Sequence, residues 1–170
     1  VNLKYKMPLD GITLYAGWEA QEFEISFFES EIAPIRQEYL SDLVAPQDPE
    51  KLGYEFLGWY EDSAYQKPFE FPEKMPAKNY TLYAKWQKLT YNISYNLFGG
   101  EVSGNPTTYD VDNNFVLKNP LRTGYTFIGW TGNGLLEPEL NVAIPKGSTG
   151  NLDYQAHWEI NYYSFFATAF

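Results

Sequence analysis

The stretch "GYEFLGWY", residues 53–60, decides the fold because a near copy of it, "GYTFIGWT", occurs at residues 124–131. The shared residues are two glycines, a tyrosine, a phenylalanine, an aliphatic residue and a tryptophan. They could form an aromatic patch that binds a ligand, or the core strand of a small domain that occurs more than once. Each copy is followed, 27 or 28 residues after its own tryptophan, by a second tryptophan, Trp86 or Trp158. This near-constant spacing of two motifs indicates a repeated folding unit.

The segments that end in these tryptophans are repeated as well. "TLYAGW" at residues 13–18 returns as "TLYAKW" at residues 81–86, and a looser copy, "DYQAHW", lies at residues 153–158. We therefore predict a tandem array cut inside its repeats, and expect the chain to be an excerpt from a longer array. Its predicted parts are the C-terminal part of a first repeat (residues 1–19), a complete second repeat (20–88), a complete third repeat (89–159) and the start of a fourth (160–170).

Each complete repeat is predicted to consist mainly of strands. In "FEISFF" the residues Phe23, Ile25 and Phe27 alternate with polar ones, and "YNISYNL" at residues 91–97 repeats this pattern. In the closing strand of the second repeat, Leu82, Ala84 and Trp86 are expected to point inward; their counterparts in the third repeat are Tyr154, Ala156 and Trp158. Alternation with a period of two is typical of strands with one buried face.

The middle of each repeat is less regular. Residues 35–44 carry Ile35, Tyr39 and Leu43 at helical spacing, whereas the corresponding residues 107–117 alternate and are interrupted by Asp and Asn. Because two copies of one domain should share a fold, we interpret both segments as a strand plus a loop. A short helix in the second repeat stays open as an alternative.

The motif strand itself is apolar on both sides. Regular alternation would place Tyr54 and Phe56 on one face, with Leu57 and Trp59 on the other. Such a strand is either covered on both faces or changes its faces at the glycine. We therefore predict a β-bulge or a close backbone approach at Gly58 and at its counterpart, Gly129.

Composition excludes several classes of function. The 170 residues carry a formal net charge of −10, which argues against nucleic acid and against an electrostatic membrane anchor as partners. There is no cysteine, so neither a disulfide framework nor a thiolate metal site is predicted. No apolar run approaches the roughly 18 residues of a membrane span, so we expect a chain that is not membrane-embedded.

The residues that could carry chemistry are few. His157 is the sole histidine and is expected on the outward face of the closing strand. "DVDNN" at residues 110–114 begins like a calcium loop but has Phe115 where the sharp turn needs glycine, so we interpret it as a turn between strands. No catalytic, cofactor-binding or metal-binding residue is predicted, and we expect neither a cofactor nor an enzyme.

The aromatic residues, 19% of the chain, are assigned first to the core. A unit of about 70 residues without disulfides or metal has difficulty forming a stable core, and large aromatic side chains help to remedy this. The outward tyrosines Tyr15 and Tyr83 are the candidates for ligand-facing aromatics.

The pairing of "GYEFLGW" with "TLYAKW" resembles the Listeria–Bacteroides repeat, the module called the B repeat in internalin B. The resemblance covers essentially the whole chain. The third repeat keeps "GYTFIGW" but replaces the closing strand with "DYQAHW". "YNLFGG" at residues 95–100 is similar to the Asn-Gly-Gly hairpin of the family, with Phe98 where the family often has Asn.

The resemblance implies an α+β, predominantly β fold: tandem small β-grasp-like repeat domains in which a mixed sheet packs on a short helical or irregular segment. It also implies a secreted or wall-attached bacterial protein, located outside the cell at the cell surface or cell wall. In that setting the repeats would act as a spacer, stalk or adhesion module. The alternative is a carbohydrate- or protein-binding module in which the repeats themselves hold the ligand.

Two kinds of partner follow from this interpretation. One is a host surface protein or glycan, which the sequence does not identify further. The other is a second copy of the chain, because the incomplete repeats at residues 1–19 and 160–170 would leave strand edges that seek partners.

Overall fold

A computed structural model describes residue 13 and residues 15–162 of the chain. These residues form strands and turns, and no helix is found among them. The strands are β1 (Glu22–Phe28), β2 (Ile35–Glu38), β3 (Tyr54–Tyr60), β4 (Pro68–Phe69), β5 (Tyr80–Lys88), β6 (Tyr91–Asn96), β7 (Thr108–Tyr109), β8 (Phe115–Val116), β9 (Tyr125–Gly132), β10 (Leu135–Glu139), β11 (Ala143–Ile144) and β12 (Leu152–Ile160). The predominantly β prediction is confirmed, whereas the α component of the predicted α+β class is absent from the described residues.

The strands form two five-stranded sheets with the same order. The first sheet runs β2-β1-β5-β3-β4, and the second, read from the equivalent edge, runs β7-β6-β12-β9-β10. In both sheets the first and last long strands are parallel neighbours, β1 with β5 and β6 with β12, and the other registered pairs are antiparallel. A separate two-stranded ladder joins β8 to β11. Tandem repetition of one strand order is therefore visible in the backbone.

Contacts group the described residues into two compact units. The first contains those of Val1–Gln47 and Trp59–Tyr83, and the second contains those of Asp48–Gly58 and Ala84–Phe170. This grouping assigns the start of β3 and the end of β5 to the unit that holds the third repeat. The predicted boundaries of the second and third repeats therefore stay predictions, and those of the terminal parts lie largely outside the described residues.

The core of the first unit is built from the alternating positions of β1 and β5. Ile25 and Leu82 are fully buried, and Phe27 is nearly so. The ring centroid of Phe27 lies 4.8 Å from that of Trp59, the tryptophan of the repeated motif. The period-two pattern thus becomes a buried face because alternate side chains of a strand point to the same side of the sheet.

The core of the second unit is larger and centres on Trp130. Its indole is fully buried, and its ring centroid lies 5.3 Å from Phe127 and 5.8 Å from Tyr95. The other buried members of this cluster are Ile93, Tyr109, Leu117, Val142, Ile144, Tyr154 and Ala156. Aromatic side chains supply much of this core, as the sequence predicted.

The motif strand contains the predicted bulge in the third repeat. Along β12, His157 pairs with Gly129 and Trp158 pairs with Phe127, so Ile128 has no counterpart and the register shifts there. Gly129 has a φ of 144°, and Gly58 has a φ of 120°. Both values lie in a region that side chains other than glycine rarely adopt.

The bulge corrects the predicted faces of the motif strand. Phe127 and Trp130 make an edge-to-face ring contact, and Ile128 is exposed. In the second repeat Leu57 is likewise exposed, whereas Trp59 is buried, so these two residues do not share a buried face. The extra residue shifts the alternation by one, so the phenylalanine and the tryptophan of the motif share a face.

The alternative of a helix at residues 35–44 is wrong. Residues 35–38 form β2, paired with β1, and Leu40 has a positive φ of 63° that turns the chain. Leu43 is buried, and its amide donates to the carbonyl of Glu73 at 2.9 Å. In the part of the chain that the structure describes, no helix is long and apolar enough to cross a membrane.

Candidate functional site

The third repeat contains an open groove between two stretches of chain. One wall is the loop that follows β6, and the other leads into β9. We call it the Arg122 groove; it encloses about 1160 Å³. The lining residues are Gly99, Glu101, Val102, Ser103, Lys118, Asn119, Pro120, Leu121, Arg122, Thr123, Tyr125, Thr126, Phe127 and Trp158.

Backbone hydrogen bonds hold the two walls together. The amide of Glu101 donates to the carbonyl of Leu121 at 2.8 Å, and the amide of Leu121 donates back at 2.9 Å. At the closed end, Gly100 lies so close to the Trp158 ring that a Cβ would overlap it. The indole Nε1 of Trp158 donates to the carbonyl of Leu97 at 3.0 Å. The closing tryptophan is thereby fixed in the groove.

The floor of the groove carries a cation on an aromatic ring. The Arg122 guanidinium lies 3.7 Å from the centroid of the Tyr125 ring, within the range of a cation–π interaction. Next to it, the ring centroids of Phe127 and Trp158 are 5.4 Å apart in an edge-to-face arrangement. Lys118 is exposed on the wall. The groove thus combines two cationic side chains with three aromatic rings.

The second repeat has a smaller groove at the equivalent place. We call it the Lys51 groove; it encloses about 620 Å³ and is lined by Pro49, Glu50, Lys51, Leu52, Tyr54, Phe56 and Trp86. The Lys51 ammonium lies 4.3 Å from the centroid of the Tyr54 ring and 5.8 Å from that of Trp86. The ring centroids of Phe56 and Trp86 are 5.4 Å apart. The same arrangement of cation and rings therefore occurs twice.

Comparison with known proteins explains this duplication. The family model of the Listeria–Bacteroides repeat domain matches residues 29–85 and again residues 91–157. The chain belongs to this family. Each match contains one motif strand with its glycine pair, and each ends within a closing strand, one residue before its tryptophan.

Three relatives contain segments similar to this pair of Listeria–Bacteroides repeats. A protein of Evansella cellulosilytica named "Putative Gly-rich membrane protein" is 31% identical over 164 residues, which are 94% of this chain and 19% of the relative. A second from that organism, named "Putative membrane protein", is 35% identical over 129 residues, 71% of this chain and 19% of the relative. Internalin H of Listeria monocytogenes is 38% identical over 85 residues, 49% of this chain and 16% of that protein. The chain spans at most about a fifth of the length of these curated relatives.

The two tyrosines that the sequence singled out do not line either groove of the Listeria–Bacteroides repeats. Tyr15 is 91% exposed, in a segment without regular structure. Tyr83 is half-buried, and its ring centroid lies 5.0 Å from that of Phe28, which is itself half exposed. Tyr15 and Tyr83 therefore have different surroundings, and a ligand-facing role for either stays a prediction.

Sequence reasoning missed the two basic residues that lie on the motif tyrosines. A signal was present, because Lys51 in "KLGYEF" and Arg122 in "RTGYTF" both precede the first glycine of the motif by two residues. The role of these basic residues depends on the closing tryptophan, which lies about 35 residues further along the chain. The spacing of residues along the sequence does not show that the basic residue and the tryptophan lie in one groove.

The other residues considered for chemistry make structural contacts. His157 lies 2.7 Å from the hydroxyl of Thr131 through its Nε2. The carboxylate of Asp112 accepts from Lys88 at 2.7 Å and pairs with Lys146 at 3.1 Å. The hydrogen bond from Lys88 lowers the pKa of Asp112, and the same bond raises the pKa of Lys88. Within the described residues no group of three or more metal-ligating side chains is found.

The perturbed tyrosines belong to the core. Burial raises the pKa of Tyr95 to about 12, and its hydroxyl donates to the carbonyl of Pro106 at 2.8 Å. Burial also raises the pKa of Tyr109, whose hydroxyl donates to the carbonyl of Gly150. A neutral tyrosine that donates to a backbone carbonyl stabilises packing. It is not poised for proton transfer at neutral pH.

Proposed function

We propose that this chain is a non-catalytic tandem-repeat segment of a secreted or wall-attached bacterial surface protein. It would lie outside the cell, at the cell surface or wall, and act as a spacer, stalk or adhesion module. The observation that carries the proposal is the repetition of one five-stranded sheet in two tandem family matches. The names of the relatives, two membrane proteins and an internalin, support the location.

We also propose that each repeat is a β-grasp-like domain. In that arrangement the first and last strands are the parallel centre of a mixed five-stranded sheet, which agrees with the strand order found here. The irregular chain between the second and third strands of each sheet, β2 and β3 or β7 and β9, would take the place of the helix that covers one face of a β-grasp sheet.

A spacer needs successive repeats that do not swing freely. Within the second compact unit, the end of β5 and the start of β3 meet the loop after β7. Lys88 is ion-paired with Asp112 at 2.7 Å, and a Cβ on Gly53 would lie 2.5 Å from that of Val111. Only residues 89 and 90 separate β5 from β6. These contacts support a short and restrained junction.

Labelling tests the restrained junction directly, because the chain contains no cysteine. Spin labels at Glu55→Cys and Glu137→Cys would lie on exposed positions of the second and third repeats. The distance distribution measured by pulsed electron resonance should be about as narrow as that of a control pair within one repeat, Asn92→Cys and Glu137→Cys. A distribution several times broader than the control would contradict the spacer role.

Protease treatment tests the location. In a bacterium that produces the full-length protein, trypsin added to intact cells should remove an epitope tag inserted at an exposed turn such as residues 133–134. A cytoplasmic marker protein should survive the same treatment. A tag that is protected in intact cells and cleaved only after lysis would overturn the surface assignment.

A second candidate function is a carbohydrate- or protein-binding module in which the repeats themselves hold a host surface protein or a glycan. The specific observation that favours it is the pair of equivalent grooves, each with a cation over a tyrosine ring and a tryptophan beside it. Repeated sites on one chain would add avidity to weak individual binding. Nucleic acid is a poor partner, because the net charge of −10 would repel its phosphates.

A further inference from the structure

We propose that the Arg122 groove binds an acidic saccharide, a sugar chain that carries carboxylate groups. The inference rests on the second candidate function and names the site and the chemical class of its ligand. Three properties of the groove support this proposal. It has cations without carboxylate partners, it has aromatic rings beside hydroxyl and amide groups, and its arginine contacts a tyrosine ring.

The charge of the groove differs from that of the surrounding protein. The chain has 22 acidic and 12 basic residues, and several of its cations are ion-paired, for example Arg36, Lys74 and Lys88. Among the described residues, by contrast, no carboxylate lies within ion-pair distance of Arg122 or Lys118. The one acidic residue that lines the groove is Glu101. A groove with two free cations and one carboxylate in an acidic protein favours an anionic ligand.

The rest of the lining favours a sugar over a peptide. The rings of Phe127 and Trp158 offer apolar surface of the kind against which the C–H face of a pyranose packs. The hydroxyl of Ser103 and the amide of Asn119 line the same groove and can hydrogen-bond sugar hydroxyls, and the hydroxyl of Thr126, which donates to Asn161 Oδ1 at 2.6 Å, can still accept. An open groove lined by rings and small polar groups suits a chain of sugar units. A peptide helix or strand would need a longer apolar surface or a free sheet edge.

Arg122 is positioned to read a carboxylate. Its guanidinium carbon lies 3.7 Å from the centroid of the Tyr125 ring, and Gly99 is beside it, where a Cβ would be in ordinary contact with its Nε at 3.6 Å. A planar guanidinium can form two parallel hydrogen bonds with one carboxylate, which gives geometric specificity as well as attraction. The contact with the Tyr125 ring restricts the side chain, which lowers the conformational entropy that is lost when a ligand binds.

The Lys51 groove provides a comparison within the same chain. It has about half the volume, and Glu50 replaces the apolar Leu121 at the equivalent position, so its one cation is balanced by one carboxylate. A lysine is a point charge that lacks the fork of arginine. We therefore assign the acidic saccharide to the third repeat and expect the second repeat to contribute little.

Calorimetric titration of the 170-residue chain tests the assignment. The probe is tetragalacturonate, and its fully methyl-esterified form is the matched neutral ligand. Wild-type protein should bind the charged form and bind the ester at least about tenfold more weakly. The double substitution Arg122→Gln/Lys118→Gln should weaken binding of the charged form by about tenfold or more, because hydrogen bonds to charged groups are lost. Arg122→Lys should fall between wild type and the double variant.

A matched control removes the same charge elsewhere. Lys67→Gln/Lys74→Gln lies on exposed positions of the second repeat outside both grooves, and it should leave the affinity within about twofold of wild type. If both double variants weaken binding equally, overall charge and not the groove is responsible, and the site is overturned. Circular dichroism of each variant confirms that it is folded before its affinity is compared.

The remaining outcomes show whether the class of ligand or the binding function itself is wrong. Equal binding of the charged and esterified sugars would overturn the acidic class while leaving a carbohydrate-binding function in place. Binding of an acidic peptide such as hexaglutamate with no binding of tetragalacturonate would overturn the saccharide and favour a protein partner. If titration at millimolar concentrations shows no binding of any of these ligands, the acidic-saccharide site is overturned, while the spacer proposal is unaffected.

Discussion

The second and third repeats use the same strand order and the same motif, yet the second glycine of the motif, Gly58 or Gly129, has different surroundings in each. Both glycines have a strongly positive φ. A Cβ on Gly129 would lie 2.5 Å from the amide nitrogen of Glu139 and 2.6 Å from the carbonyl carbon of Pro138, whereas a Cβ on Gly58 would meet nothing within 4 Å. The difference arises because β10 is a five-residue strand beside β9, while β4 has two residues. Backbone conformation requires glycine in both repeats, and the neighbouring strand adds a second requirement in one.

The two repeats share a buried tryptophan in the motif strand, Trp59 or Trp130. We expect Trp59→Ala and Trp130→Ala each to lower the free energy of unfolding by about 3–5 kcal/mol, because both indoles are buried and the cavity would be only partly refilled. Urea denaturation measures the change. Leu136→Ala, at a 92% exposed position, is the control and should change stability by less than about 0.5 kcal/mol. A loss below about 1 kcal/mol in either repeat would break the equivalence of the two cores.

Alanine substitutions at Gly58 and Gly129 compare the surroundings of the two glycines directly. Gly58→Ala should cost about 1–3 kcal/mol from the positive φ alone. Gly129→Ala should cost about 1–3 kcal/mol more, since the added methyl group must displace the backbone of β10. Urea denaturation of the two single variants gives the difference. Equal losses would mean that β10 moves aside freely, and the structural distinction between the repeats would have no energetic meaning.

The glycines that open the motif test the junction between the repeats. Gly53 and Gly124 have nearly the same φ, 76° and 81°, so the strain of an alanine should be similar at both. A Cβ on Gly53 would also lie 2.5 Å from Cβ of Val111, whereas Gly124 is open. Gly53→Ala should therefore destabilise the chain by about 1–2 kcal/mol more than Gly124→Ala. Thermal unfolding followed by circular dichroism measures the difference, and an equal effect would argue against a tight junction.

The smallest expected effect concerns the ion pairs of the same junction. The pKa of Asp112 is lowered in the folded chain, so its contribution is present above the unfolded value of about 3.9 and is lost as pH falls through the folded value. The pKa of Lys88 is raised, so its contribution is present below about 10.4 and is lost as pH rises through the folded value. Exposed pairs of this kind contribute little.

Asp112→Asn is the variant that measures this contribution. The urea midpoint of the wild type should fall between pH 5 and pH 2.5, and that of Asp112→Asn should fall less over the same range. Asp48→Asn, at an exposed position, is the control and should follow the wild type. If the urea midpoint of Asp112→Asn changes with pH in parallel with that of the wild type, Asp112 does not stabilise the junction.

Much of the fold was predictable because it follows from local patterns. The alternation around Ile25 and Ile93 marks strands with one buried face, and the motif tryptophans Trp59 and Trp130 mark the core; the closing tryptophans, predicted to point inward, are half-buried and line the grooves. The faces of the motif strand were not predictable from alternation, because a bulge at Ile128 shifts the pattern by one residue. Gly129 indicated an irregularity in the strand, but it did not indicate which residue would be turned outward.

The helical spacing of Tyr39 and Leu43 left a helix open as an alternative to the predicted strand plus loop, and the strand is what forms. Leu40 turns the chain with a positive φ, so two apolar residues four apart reach different surroundings instead of one face of a helix. The grooves were missed because their parts are distant in sequence. Arg122 precedes the motif and Trp158 closes the repeat, and their meeting depends on β12 lying beside β9. A non-local pairing of this kind leaves no mark in a single stretch of sequence.

The parallel pairing of β6 with β12 has a consequence for a chain under tension. Residues 93–96 of β6 pair in register with residues 152–155 of β12, and the third repeat is entered at the start of one strand and left at the end of the other. A pull on residues 91 and 160 therefore slides the two strands past each other and loads all their hydrogen bonds at once. Antiparallel terminal strands would instead peel apart one bond at a time. In the stalk proposed above, this topology would resist mechanical unfolding at the place where the load enters.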